Sequence, residues 1–154
     1  MLFRSMDTVE SSATYTLSGN TEVLTLSGLG FIDGYGNALD NTILGNIRNN
    51  LIDGGAGADS MVGGVGNDTY YVENSSDSIY ELASEGTDWA ISSLANFTLP
   101  DQVERLLLDT GALNGTGNSL NNSLVGNSTS NSLLGEDGND TILGNGGKIG
   151  RAHV

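Results

Sequence analysis

A nine-residue period runs through this chain, and it leaves few folds open. Units begin at Gly36, Gly45, Gly54 and Gly63, and again at Gly117, Gly126 and Gly135; a further unit from Val72 keeps the phase without the glycines. Position six of these units reads Asn41, Asn50, Asp59, Asp68, Asp77, Asn122, Asn131 and Asp140. Position eight reads Ile43, Ile52, Met61, Tyr70, Ile79, Leu124, Leu133 and Ile142. In a chain that is 37% hydrophobic, one position would stay apolar through all these units by chance roughly a few times in ten thousand. Composition alone also suits a disordered Gly/Asp/Asn/Ser linker, but a linker has no reason to hold that phase.

The spacing implies a geometry. Six Gly/Asn/Asp-rich residues turn tightly, because Gly accepts positive φ and Asn or Asp tolerates the left-handed region. Three residues centred on an apolar side chain then make a short strand, and two units close one coil. The expected fold is all-β: a parallel β-roll, or β-solenoid, of short strands joined by Gly/Asp/Asn-rich turns. Strands of about three residues are expected over 36–80 and 117–143, with eighth-position side chains inward and helix nearly absent. The apolar column between the sheets is narrow. Ordering 23 Gly therefore has to be offset by something besides hydrophobic burial.

A longer repeat overlies the short one. Residues 16–63 recur at 98–144, with TLSGNTEVLTL matching TLPDQVERLLL and GNALDNTILGN matching GNSLNNSLVGN. The expected organisation is a first repeat module over 6–80, connecting strands over 81–96 and a second, truncated module over 97–147. The ends look foreign: KIGRAHV at 148–154 reads as a translated sequencing adapter, and LFRS at 2–5 fits the opposite adapter end. Residues 1–5 and 148–154 are accordingly expected to be cloning or assembly scars, outside fold reasoning.

Charge narrows the partners. The chain carries 19 Asp+Glu against 5 Lys+Arg, a formal charge of −14; within 6–147, Arg48 and Arg105 against all 19 carboxylates leave −17. Such a surface repels nucleic acid and anionic lipid and concentrates cations. No segment is apolar enough to insert in a membrane as a helix. There is no Cys, and the one His, His153, falls in the suspected scar, so neither a thiolate or histidine metal site nor a Ser-His-Asp triad can be assembled from the rest.

GGAGADSMV at 54–62, GGVGNDTYY at 63–71 and GEDGNDTIL at 135–143 resemble the hemolysin-type, or RTX, calcium-binding nonapeptide repeat of secreted bacterial proteins. The first two match its glycine-glycine-x-glycine-x-aspartate loop in full, and the third has Glu136 at the second glycine. The segment 68–93 is similar to the stretch that follows such loops in large RTX proteins. The resemblance implies a parallel β-roll, Ca²⁺ as the bound ion, export by type I secretion machinery, and folding on calcium in a secreted, extracellular setting beside further repeat modules. Asn instead of Asp at position six in four units departs from the pattern, and those units are expected to stack without calcium.

Neighbours on one edge of such a roll are two units apart. That places Asp59 between Asp77 and Asn41, and Asp68 between Asn50 and, allowing two inserted residues, the 85–88 turn. Asp59 with Asp77 makes the best-equipped pair; Asp140 has Asn122 as its visible neighbour. The candidate ligands are thus Asp59, Asp68, Asp77, Asp88 and Asp140, with the loop glycines Gly54, Gly57, Gly63, Gly66, Gly135 and Gly138 supplying turn carbonyls. Carboxylates and carbonyls in a flexible frame suit Ca²⁺ better than the tighter octahedron of Mg²⁺. Each Asp has a second reading as an Asx-turn acceptor that merely caps its loop, and for Asp77 and Asp88 the two are balanced. Glu81, Glu85, Glu104 and Asp101 read as a solvated face.

The expected function is a calcium-binding structural repeat module, not an enzyme by itself. The alternative is the C-terminal calcium domain of an extracellular protease or lipase whose catalytic domain lies elsewhere. A metalloprotease motif or serine-hydrolase elbow in the parent reading frame would favour the latter, and further 82-residue modules the former.

Overall fold

The computed structural model describes residues 5–145; the suspected scars, Ser5 apart, lie outside them. Short strands follow one another: β1 Thr8–Ser11, β2 Tyr15–Thr16, β3 Val23–Leu26, β4 Gly34–Asn37, β5 Thr42–Leu44, β6 Leu51–Gly55, β7 Ser60–Val62 and β8 Thr69–Val72. The second half continues with β9 Ser78–Tyr80, β10 Trp89–Ser92, β11 Asn96–Thr98, β12 Arg105–Leu108, β13 Asn114–Thr116, β14 Ser123–Val125, β15 Ser132–Leu134 and β16 Thr141–Leu143. No helix occurs among the described residues.

Alternate strands pair, always in parallel. The even strands form one continuous 8-stranded sheet from β2 to β16, and the odd strands form a 5-stranded sheet, β1 to β9, and a 3-stranded one, β11 to β15. The chain is therefore a β-roll with two strands per coil. The eighth positions stack in register, Ile43 on Met61 on Ile79 and Ile52 on Tyr70. Ile43, Ile52, Met61, Tyr70, Leu124 and Leu133 are fully buried, Ile79 nearly so and Ile142 half-buried. The expected period and facing are what the fold shows. One strand is longer than expected: β6 runs into the loop as far as Gly55, where φ reaches +79° and the chain turns.

Close stacking explains the first glycine of three units. The Gly54 carbonyl lies over Gly36, the Gly63 carbonyl over Gly45 and the Gly135 carbonyl over Gly117, so that a Cβ at the lower glycine would collide with it.

The two homologous modules face opposite ways. β3 and β5, in the odd sheet, correspond in sequence to β12 and β14, in the even sheet. Nine strands separate each pair, four and a half coils, so equivalent loops emerge on opposite edges of the roll. One edge consequently carries the loops 45–50, 63–68, 81–88, 99–104, 117–122 and 135–140, while 36–41, 54–59, 72–77 and 126–131 line the other.

Candidate metal centre

The loops fall into two chemical kinds. Where position six is Asn, its side-chain carbonyl accepts the N–H of position two: Asn41 from Asn37 at 2.7 Å, Asn50 from Asn46 at 2.8 Å, Asn122 from Asn118 at 2.7 Å and Asn131 from Asn127 at 2.8 Å. Its amide donates to a carbonyl of the preceding coil, as Asn41 does to Thr21 and Asn131 to Ala112. Position two is Asn as well, and it bonds in both directions: Asn118 accepts the Leu120 N–H and donates to the Pro100 and Val103 carbonyls. These loops satisfy their own polar groups.

Where position six is Asp in a unit that opens on glycine, one oxygen is used and the other is not. Asp59, Asp68 and Asp140 each accept, through Oδ1, the N–H of the position-six residue one coil earlier: Asn41 at 2.7 Å, Asn50 at 2.7 Å and Asn122 at 2.9 Å. Their Oδ2 atoms are buried without a hydrogen-bond partner. Each Oδ2 sits against the first glycine of its own unit, Gly54, Gly63 or Gly135, where a Cβ would displace it. Position two holds positive φ here, at Gly55, Gly64 and Glu136, as does position four at Gly57, Gly66 and Gly138. An amide at position six is a donor to the coil below; a carboxylate there has nothing to donate, and its second oxygen is left waiting for a cation.

Burial of these carboxylates opposes their charge. Burial pushes Asp68 up to about 7, with Asp88 and Glu85 adding repulsion against the relief of the Asn50 N–H. Asp59 rises to about 6 for the same reason, its Asn41 bond opposing the effect and Asp77 reinforcing it. Glu81 rises to about 7, by burial against the Tyr70 hydrogen bond, and Asp88 to about 6, by burial against the Asp68 N–H. The charges acting on Asp68 and Asp59 are all negative. A cation would both neutralise such groups and occupy their spare lone pairs.

The expected ligands are distributed unevenly. Asp77 Oδ1 accepts the Asp59 N–H at 3.2 Å and its Oδ2 the Asn74 N–H at 3.0 Å, so the pair rated best from spacing already spends both Asp77 oxygens on the backbone. The Gly57 carbonyl accepts the Asn74 amide. Asp68 is better provided: Asp88 Oδ1 accepts its N–H at 2.7 Å, and Asp68, Glu81 and Asp88 offer carboxylate oxygens all within 4.8 Å of one another. Glu81 therefore corrects the solvated-face reading, since its Oε2 is buried and partnerless and its Oε1 accepts the Tyr70 hydroxyl. Glu104 corrects it too, taking the Asp88 N–H at 2.9 Å as Glu22 takes that of Asp7. Glu85 holds the Leu82 N–H at 2.9 Å, whereas Asp101 is exposed as expected. Equivalence to Glu22 was the signal for Glu104; Glu81, 18 residues after Gly63, opens the next nine-residue step, where a glycine-free segment hid it.

An all-oxygen donor set without His or Cys is that of a hard cation such as Ca²⁺, and the loops carrying it define a β-roll with built-in carboxylate vacancies in its hydrogen bonding. Residues 35–70 and 116–148 match the family model of the RTX calcium-binding nonapeptide repeat (4 copies). These two stretches, a little under half of the chain, are similar to that family's repeats, and together with the β-roll they support a calcium-binding repeat module. No curated protein and no solved structure matches it.

Proposed function

We propose that this chain is a calcium-operated structural segment of a secreted protein, exported unfolded by type I secretion machinery, folding on calcium outside the cell and catalysing nothing itself. The observation that carries the reading is the set of partnerless buried oxygens on Asp59, Asp68, Glu81 and Asp140 in a chain of net charge −14. Without a cation, those oxygens and that charge oppose the compact state. With a site affinity of about 10⁻⁴ M, typical of extracellular modules, external calcium near 10⁻² M adds roughly 2.7 kcal/mol per site. Cytosolic calcium, orders of magnitude lower, adds almost nothing. One or two sites are enough to decide the folding of a marginal domain.

The test is circular dichroism of residues 6–147 as calcium is added. Millimolar Ca²⁺ should drive a coil-to-β transition that Mg²⁺ at the same concentration does not. A chain already fully folded in chelator would overturn the switch and leave a calcium-independent solenoid. Hydrolysis of an ester, peptide or glycoside that disappears with one carboxylate substitution would overturn the structural role.

A further inference from the structure

We propose that Asp68, Glu81 and Asp88 together hold one calcium ion, so that the segment 81–88 is fastened to the nonapeptide stack by a ligand from outside the glycine-led units. The inference rests on the calcium reading above and assigns one of its sites.

Several independent features converge there. Asp68 has no exposed surface and Asp88 almost none, yet their carboxylates and that of Glu81 lie within 4.8 Å of one another. Asp68 Oδ2 and Glu81 Oε2 are both buried without a hydrogen-bond partner. Carboxylates so close repel unless a proton or a cation lies between them. The segment is also tied to the preceding coil: Gly66 N–H donates to the Glu85 carbonyl at 2.8 Å, Thr87 N–H to Asn67 Oδ1 at 2.9 Å and Trp89 N–H to the Asp68 carbonyl at 2.9 Å. Ser84, at φ +71°, makes the bend between them. The step from Asp68 to Asp88 is 20 residues instead of the usual 18, whereas Glu81 keeps the 18-residue step from Gly63.

Tyr70 gains a role in this arrangement. It is the one aromatic residue among the eighth positions, which are otherwise Ile, Leu or Met. Its ring fills the core, while its hydroxyl donates to Glu81 Oε1 and leaves Oε2 without a partner. Tyr70 is a positioning residue for the site, and its phenol lies beside any lanthanide bound there.

Calcium-stripped full chain, titrated with Ca²⁺ in a calorimeter and separately with Tb³⁺ followed by tyrosine-sensitised luminescence, tests the assignment. Glu81→Gln, which keeps the shape, should bind one ion fewer and lose the Tyr70-sensitised component of terbium emission, while the remaining binding persists. Tyr70→Phe should keep the ion number, dim that component and weaken one site. An unchanged ion number and unchanged affinities in Glu81→Gln would overturn the assignment while the calcium reading stands; a wild-type chain that binds no calcium would overturn both. If Glu81→Gln does not fold, wild-type hydrogen exchange decides. The Gly66 and Thr87 amides should become protected as calcium is added, and equal exchange with and without calcium, when residues 54–62 do respond, would overturn the site.

Discussion

The Asn loops at 36–41, 45–50, 117–122 and 126–131 and the Asp loops at 54–59, 63–68 and 135–140 occupy the same place in the coil and solve the same problem differently. An Asn pair at positions two and six closes every polar group inside the protein, through bonds such as Asn122 to Asn118 and Asn118 to Val103. Glycine, or Glu136 in the last unit, at position two with Asp at position six removes those amides and leaves a buried oxygen without a partner on Asp59, Asp68 and Asp140. The first kind of loop leaves no buried oxygen without a partner. On the proposed function, the second makes the fold conditional on a cation, because its hydrogen bonding stays incomplete without one.

Calcium removal should break the comparison most completely. In chelator the β signal should collapse, and at intermediate calcium, amide exchange should protect 54–68 in step with ion binding. The 117–131 loops should follow only through their stacking on neighbours. Equal calcium response in both loop classes would show that the hydrogen-bond distinction has no energetic weight.

Acid should partly replace calcium. Asp59, Asp68, Glu81 and Asp88 have folded-state values raised to about 6 or 7, above the ordinary unfolded range near 4. A raised folded value means the stabilising contribution is fully present below about pH 4 and is lost as pH rises through about 6 to 7. The calcium-free chain should therefore show more β signal at pH 5 than at pH 8. Calcium affinity should move oppositely, weakening below about pH 6 as ligands take up protons. Apo stability that increases with pH would contradict the burial of these groups.

Single substitutions sharpen the contrast. Asp59→Ala should move the calcium midpoint of folding to higher concentration, by about tenfold or more, as loss of a ligand or its support does elsewhere, and should reduce the ions bound. Asn50→Ala should instead leave the ion number unchanged. It strips partners from the Ile32 carbonyl and the Asn46 N–H and should cost about 1–3 kcal/mol in saturating calcium, read from a denaturant midpoint. An Asn50→Ala chain that loses an ion, or an Asp59→Ala chain that binds as many as before, would erase the division into two loop classes.

The nine-residue period by itself determined the coil, its parallel pairing and its inward face, because each unit repeats a local pattern whose turn and strand are fixed by neighbours in sequence. Ile43, Met61 and Ile79 could be stacked on paper by counting 18 residues. The acidic sixth positions were legible for the same reason, and the Asn pairs at positions two and six were present in the same units, although their mutual bonding shows only once Asn37 and Asn41 are seen across one loop. Tertiary structure alone decided three matters. It placed homologous modules half a coil out of step, because nine strands divide unevenly between two faces. It spent both oxygens of Asp77 on backbone N–H groups. It brought Glu81 together with Asp68 and Asp88, since two residues inserted after Glu81 break the count to Asp88, and the closure of that loop depends on where the neighbouring coils hold its ends.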